Sequence, residues 1–194
     1  MNPGRADRTY AGLSDVGRVR AHNEDAVLRI AGLPVFAVAD GMGGEGTGDR
    51  AAGIALAVLK RYTDQLRGVA DEINDDRSTR NRLALSSLLD EVFNSASREI
   101  QREKIRLMRP GMGSTLIAAT VVRNFAYVGH VGNSRAYLVR NGRPILLTED
   151  HSVGEFRYRR GRISREEYET CEERRVLYQA LGAGIEVEVD LAEV

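Results

Sequence analysis

An α+β fold, with antiparallel strands covered by helices, is what this sequence predicts. Three observations carry the prediction. Two helical stripes occupy the middle of the chain before Leu107. After Pro110-Gly111 the apolar period shortens to that of strands joined by tight turns. Ahead of both, Val35 to Ala39 is a short and wholly apolar run that ends in turn residues, as a strand covered on both faces would.

The elements follow in order. The run Val35-Phe36-Ala37-Val38-Ala39 leads directly into Asp40-Gly41-Met42-Gly43-Gly44, and Asp49 to Tyr62 then reads as a helix. Within it Ala51, Ala55, Val58 and Tyr62 recur at helical spacing. Leu85, Leu88, Leu89, Val92, Phe93, Ala96 and Ile100 form a clearer stripe, with Glu91, Asn94, Ser95, Arg98 and Glu99 on the other side. Asp71 to Arg80 between the two is polar and reads as a loop. Ser114 to Val122 and Phe125 to Val131 are strands turning at Arg123-Asn124. Arg135 to Arg140 reaches Asn141-Gly142, the strongest short hairpin signal, and Ile145 to Thr148 returns. These consecutive hairpins predict an antiparallel meander. Glu155 to Arg175 is crowded with charge and lacks a core stripe, so it reads as a solvated helical insertion or flap. Ile185 to Leu191 alternates apolar and acidic residues, a half-buried strand.

Composition excludes several classes of function. The 194 residues suffice for one domain with a sizeable core. Lys plus Arg and Asp plus Glu are both 28, so no global basic field recruits nucleic acid or a membrane surface. Cys171 is the single cysteine, which rules out an internal disulfide and a thiolate metal cluster. Met1 to Tyr10 is polar, and no apolar run approaches the roughly 18 residues of a membrane span. A cytoplasmic protein is the expectation.

The chemistry gathers around acids. Arg20-Ala21-His22-Asn23-Glu24-Asp25 precedes the strand that ends on Asp40-Gly41. Hard divalent ions take oxygen ligands, often one or two carboxylates with several waters. A strand-end carboxylate can bridge two such ions about 3.5–4 Å apart. Gly41 would let its carbonyl approach an ion, and an arginine fork suits phosphate. Taken singly, these signals are weak. D-G-x-G-G is also what a plain turn requires, and R-x-x-N-E-D also suits a helix cap or solvated face. No nucleotide-phosphate motif occurs at the turn. His22, His130 and His151 lie far apart in sequence and read as structural.

In combination the motifs are specific. The order is Ser14-Asp15-Val16-Gly17-Arg18-Val19-Arg20, Asn23-Glu24-Asp25, Val38-Ala39-Asp40-Gly41-Met42-Gly43-Gly44, Gly113-Ser114-Thr115, Val131-Gly132-Asn133-Ser134-Arg135, and Thr148-Glu149-Asp150-His151-Ser152. From about Leu13 to Gly182 the chain closely resembles the metal-dependent protein phosphatases of type 2C, the PPM family, in its bacterial form. The resemblance implies a pair of antiparallel sheets sandwiched between helices, in four layers. It implies hydrolysis of phosphoserine and phosphothreonine in proteins with two Mg²⁺ or Mn²⁺ ions and no phosphoenzyme. Asp40 matches the bridging carboxylate, the Gly41 carbonyl a metal ligand, Glu24 and Asp25 acids that hold the metals partly through water, and Arg20 the phosphate-binding arginine. Residues 155–175 match the flap beside the site, where substrate selection is expected.

Two departures qualify the match. The family's G-D-S-R block carries an aspartate that can hold a third metal, and here the position is Asn133. A neutral amide is a weaker ligand for a hard dication, so no third ion is expected. The family also continues with S-D-G and D-N blocks, yet no Asp-Gly or Asp-Asn pair follows Asp40-Gly41 here. On this reading residues 1–194 form one phosphatase domain lacking its C-terminal metal-binding blocks, with exposed strand edges and little activity by itself. The alternatives are a chain completed by another polypeptide and a phosphatase-like binding module without catalysis.

Overall fold

The computed structural model describes residues 10–30, 32–44 and 46–194. Of the polar N-terminal stretch, Met1 to Thr9 lies outside the described residues. Two short strands open the structure, β1 (Asp25–Arg29) and β2 (Val35–Met42), paired antiparallel. Three helices follow, α1 (Gly48–Arg61), α2 (Thr63–Asp75) and α3 (Thr79–Leu107). Strands β3 (Gly113–Ser114) and β4 (Leu116–Val122) then lie against β2 in one continuous register, Val38 opposite Ile117 and Gly41 opposite Ser114. Strand β5 (Phe125–Val131) turns back along β4, and β8 (Asp190–Glu193) closes the far side of β5. The result is a six-stranded antiparallel sheet in the order β1-β2-β4-β5-β8, with β3 also on β2. The fold is α+β, as expected.

The helices cover one face of this sheet. Helix α1 buries Ala51, Ala52, Ala55, Val58 and Leu59 at helical spacing, and its small residues let it lie close to the strands. The α3 stripe Leu85, Leu89, Val92, Phe93, Ala96 and Ile100 is excluded from water. Gly129 of β5 makes room for the largest of these, since a Cβ there would sit 3.0 Å from Phe93 Cε2. On the opposite face Val27 and Val38 stay exposed, and Tyr10 stacks on Phe36 at 4.7 Å.

Several expected elements were redrawn by tertiary contacts. The polar segment 71–80 is not a loop: α2 runs to Asp75, and only Asp76 to Ser78 connects it to α3. Leu66, Ala70 and Ile73 supply a buried stripe that outweighs the polarity around them. Asn81 Nδ2 then closes the end of α2 by donating to the carbonyls of Glu72 (3.2 Å) and Asp76 (2.8 Å).

The expected meander breaks in two. Strands β6 (Tyr137–Arg140) and β7 (Arg143–Leu146) form their own two-stranded sheet, because β8 takes the free edge of β5. Their turn is as expected, with Asn141 and Gly142 at φ 53° and 72°. Of the strand expected over 185–191, pairing begins only at Asp190. Upstream, two side-chain amides stand in for a neighbouring strand. Asn94 exchanges hydrogen bonds with the backbone of Val187 (2.9 and 3.2 Å), and Gln179 does the same with Glu188 (2.9 and 2.7 Å). Asn94 therefore faces inward, against its expected place on the solvent side of α3.

The charged segment is helical: α4 (Val153–Arg159), α5 (Arg165–Thr170) and a 3₁₀ turn over Glu172–Arg175. Among the described residues no helix is long and apolar enough to cross a membrane.

Phe93→Ala would open a cavity between α3 and Gly129 that rigid backbone cannot close. We expect urea denaturation to show a loss of about 3–5 kcal/mol.

Candidate functional site

The site grows out of the β1–β2 pairing. Asp25 and Asp40 are opposite residues in the register, so their side chains project from the same face at adjacent points. Like charges directly opposite one another are unfavourable. The carboxyl of Asp40 is accordingly pushed up from 3.8 to about 6, first by desolvation, then by Asp25 and Glu24, while Arg20 opposes the rise. Arg20 lies in an exposed loop, within electrostatic reach of Asp40.

Glu24 sits where the end of β2 meets the start of α1. Its Oε1 accepts from the Gly48 N–H at 3.2 Å, and its backbone carbonyl accepts from Gly41 N at 3.0 Å. Thr47, the residue before α1, makes no side-chain cap, so Glu24 answers the first N–H of the helix and places a negative charge at its positive end. The packing there excludes side chains. A Cβ on Gly41 would fall 1.8 Å from Gly48 O, and one on Gly48 would fall 2.5 Å from Glu24 Oε1.

A polar clamp holds the loop that carries Arg20. Asn23 Oδ1 accepts from Asp25 N at 3.0 Å, Asn23 Nδ2 donates to Ser14 Oγ at 2.7 Å, and Ser14 Oγ donates to the Asp25 carbonyl at 3.3 Å. On the other side of β2, Thr115 grips the backbone of Asp40 twice. Its N–H donates to Asp40 O (2.8 Å), and its hydroxyl, not its carbonyl, accepts from Asp40 N (3.1 Å). That hydroxyl lies 2.7 Å from Ser134 Oγ. Thr115, Ser134 and Gly48 were not singled out for a role from sequence. The Gly113-Ser114-Thr115 and Gly132-Asn133-Ser134 blocks carried only the family likeness, because their contacts with Asp40 span long chain separations.

The arrangement places Arg20, Glu24, Asp25, Asp40 and Gly41 around one strand end. All the donors are oxygens, the set that Mg²⁺ and Mn²⁺ favour, and a dication would relieve the crowding of like charges. A sequence profile of the Protein phosphatase 2C family matches residues 23–177. The chain belongs to the protein phosphatase 2C family. Among its relatives, the serine/threonine phosphatase stp of Listeria welshimeri is 34% identical over 182 residues, covering 91% of this chain and 68% of that protein. The crystal structure of the Mycobacterium tuberculosis serine/threonine phosphatase PstP/Ppp is similar at a TM-score of 0.74 and 32% identity, covering 96% of this chain and 72% of that one. The catalytic domain of PstP in complex with two manganese ions is similar at a TM-score of 0.73 and 32% identity, covering 96% and 71%. This phosphatase 2C chain thus spans about two thirds of the length of these relatives' matched chains. The family is one of metal-dependent serine/threonine protein phosphatases, and manganese is bound in a solved member.

A second polar cluster lies apart from the strand end. His130 and His151 lie with tilted rings, centroids 4.8 Å apart, beside Asp190, and the three residues' ligand atoms fall within 4.8 Å of one another. His130 and Asp190 border a cavity of about 440 Å³ between β5, β8 and the segment 146–149. The hydrogen bonds fix the His151 tautomer. Its Nδ1 accepts from Gly132 N (3.2 Å) and Gln179 Nε2 (3.0 Å), and the Glu188 pairing fixes which way that amide points. Nε2 therefore carries the proton and donates to Asp190 Oδ2 at 3.1 Å, which occupies the nitrogen a metal would need. Burial and His151 hold His130 down to about 4, so it stays neutral. His22 lies elsewhere, in the exposed Arg20 loop.

The raised Asp40 value has a sign that can be checked. Between about pH 4 and 6 the native protein holds a proton that the unfolded chain has released, so metal-free stability falls as pH rises through that window. Asp40→Asn removes the charge that causes the loss. We expect the metal-free variant to melt higher than the parent at neutral pH and to lose the Mn²⁺-induced rise in Tm. In the parent that rise should fade as pH drops below about 6. An Mn²⁺-induced rise of the same size in Asp40→Asn would show that Asp40 does not carry the metal.

Proposed function

We propose that the cluster of Arg20, Glu24, Asp25, Asp40 and Gly41 is where this phosphatase 2C chain hydrolyses phosphoserine and phosphothreonine esters of proteins. The observation that carries the reading is the cross-strand pair Asp25–Asp40 with Glu24 and Arg20 beside it, in a chain of this family. Asp40, Asp25, Glu24 and the Gly41 carbonyl would hold two Mg²⁺ or Mn²⁺ ions. When bound, such ions lower the pKa of water and screen phosphoryl charge.

The chain's own residues do the rest. Thr115 fixes the Asp40 backbone from one side and Gly48 fixes the Glu24 carboxylate from the other, so the acids are held in position. The Ser14–Asn23–Asp25 clamp keeps the Arg20 loop beside them. Arg20 has the role of orienting the phosphoryl group through its guanidinium fork. Asn133 stands at the position of the family's third-metal aspartate, and its neutral amide leaves that ion without a carboxylate there. Residues 155–175, largely the half-buried helix α4, the exposed helix α5 and the following turn, take the role of a flap that meets protein substrates. The proposed setting is the cytoplasm, which the unpaired Cys171 suits.

Mn²⁺-dependent release of phosphate from a phosphothreonine peptide tests the reaction, and a lack of metal dependence would sink it. Arg20→Ala tests the division of labour. Loss of a charged hydrogen bond corresponds to about a 10- to 150-fold fall in kcat/KM. Mn²⁺ affinity by calorimetry should stay within about twofold. An equal loss of metal binding would make Arg20 structural.

A further inference from the structure

We infer that Arg135 is a positioning residue that joins the helical segment 153–175 to the strand end bearing Asp40, gripping the segment at Tyr168, and so tunes how a protein substrate is received. The inference rests on the phosphatase reading of the site above.

The first observation is that α5 is only lightly held. It is six residues long, and none of them is buried. A helix so short has no stability of its own in water. A capping box between Ser164 and Glu167 orders its first turn but docks it to nothing. Only Tyr168 of its residues is not fully exposed. That ring stacks on Tyr158 of α4 with centroids 5.1 Å apart and planes at 21°. The Arg174 guanidinium lies 5.1 Å from its centroid. Apart from the hydrogen bond that Arg174 donates to the Glu169 carbonyl, the position of α5 therefore depends on what Tyr168 touches.

The second observation is what lies on the inner side of Tyr168. Its hydroxyl accepts from Arg135 Nη2 at 3.4 Å. The same guanidinium grips Asp150 with two parallel hydrogen bonds of 2.7 Å, Nε to Oδ1 and Nη2 to Oδ2. The Asp150 side chain is only 9% exposed, and its bidentate grip fixes the half-exposed guanidinium in one orientation. Asp150 raises the basicity of the guanidinium further, which keeps the fork charged.

The third observation is the other end of the joint. Ser134, the residue before Arg135, lies 2.7 Å from Thr115 Oγ1, and that oxygen accepts the Asp40 N–H. Tyr168, Arg135, Ser134, Thr115 and Asp40 are thus contiguous through hydrogen bonds and one peptide link. The grip on the helical segment and the grip on the metal-site carboxylate come from adjacent residues. Beyond Tyr168 the segment presents Phe156, 40% exposed, with the Arg160 and Arg162 guanidiniums 5.0 and 5.9 Å from its ring. A polypeptide substrate is long enough to meet that surface, and a small phosphate ester is not.

The test uses Tyr168→Phe, which keeps the ring and its stacking and removes only the hydroxyl, and Arg135→Lys, which keeps the charge and removes the fork. KM and kcat are measured with Mn²⁺ for a phosphothreonine peptide and for para-nitrophenyl phosphate. For Tyr168→Phe we expect KM for the peptide to rise about three- to tenfold, the effect of one ordinary hydrogen bond. Its constants for the small ester should match the parent. Arg135→Lys should shift the peptide KM in the same direction and further, since lysine cannot replace the bidentate contact. An equal effect of Tyr168→Phe on both substrates, or none on either, would overturn the inference. If the parent hydrolyses neither substrate, the reaction is what fails, and binding decides the joint instead. Affinities of the Mn²⁺-loaded proteins for a phosphonate-bearing peptide and for phenylphosphonate are then compared. Weakening of the peptide alone in Tyr168→Phe supports the joint, and equal weakening or none refutes it.

Discussion

Two carboxylates facing each other across adjacent strands set the terms for the rest of this structure. Asp25 and Asp40 stand opposite one another in β1 and β2, and burial together with that proximity raises the proton affinity of Asp40. A fold optimised only for stability would not place them so. The neighbouring structure keeps them together: a buried strand, the N-terminus of α1, and hydroxyls from across the sheet each fix one backbone or side-chain atom of the group. The strain is electrostatic and local, and a dication bound there would relieve it.

Glycine makes that closeness possible at two points. Gly41 and Gly48 let the end of β2 press against the first turn of α1, and Glu24 fills the remaining gap with a carboxylate oxygen. One acid thereby serves two needs, as cap to a helix that lacks a side-chain cap and as a charge beside Asp40. Elsewhere, side-chain amides do the work of strands. Asn94 and Gln179 satisfy the backbone of 187–188 where no neighbouring strand pairs with it, so the chain reaches β8 without orphaned polar groups.

Much of this was legible in the residues. The stripe from Leu85 to Ile100, the apolar run into Asp40, the Arg123-Asn124 and Asn141-Gly142 turns and the helical character of the charged segment all reflect local rules of period and turn chemistry. The acids proposed for the site could be picked out as well, because Glu24, Asp25 and Asp40 stand in a characteristic order. Polarity misled at 71–80, where three buried residues of α2 decided the matter, and at Asn94, whose inward role depends on a segment more than ninety residues later.

The sequence by itself determined the α+β class, the family and the identity of the candidate site acids, since each rests on spacing along the chain. Tertiary structure decided the register that puts Asp25 against Asp40, the choice of β8 over β6 as the neighbour of β5, and the contacts of Thr115, Ser134 and Arg135. It also decided that His130 and His151, read as isolated residues, meet beside Asp190 with the ligating nitrogen of His151 already engaged. The reason is that hydrogen-bond partners, edge pairing and burial are properties of segments brought together from distant parts of the chain, and no local period encodes which of them will meet.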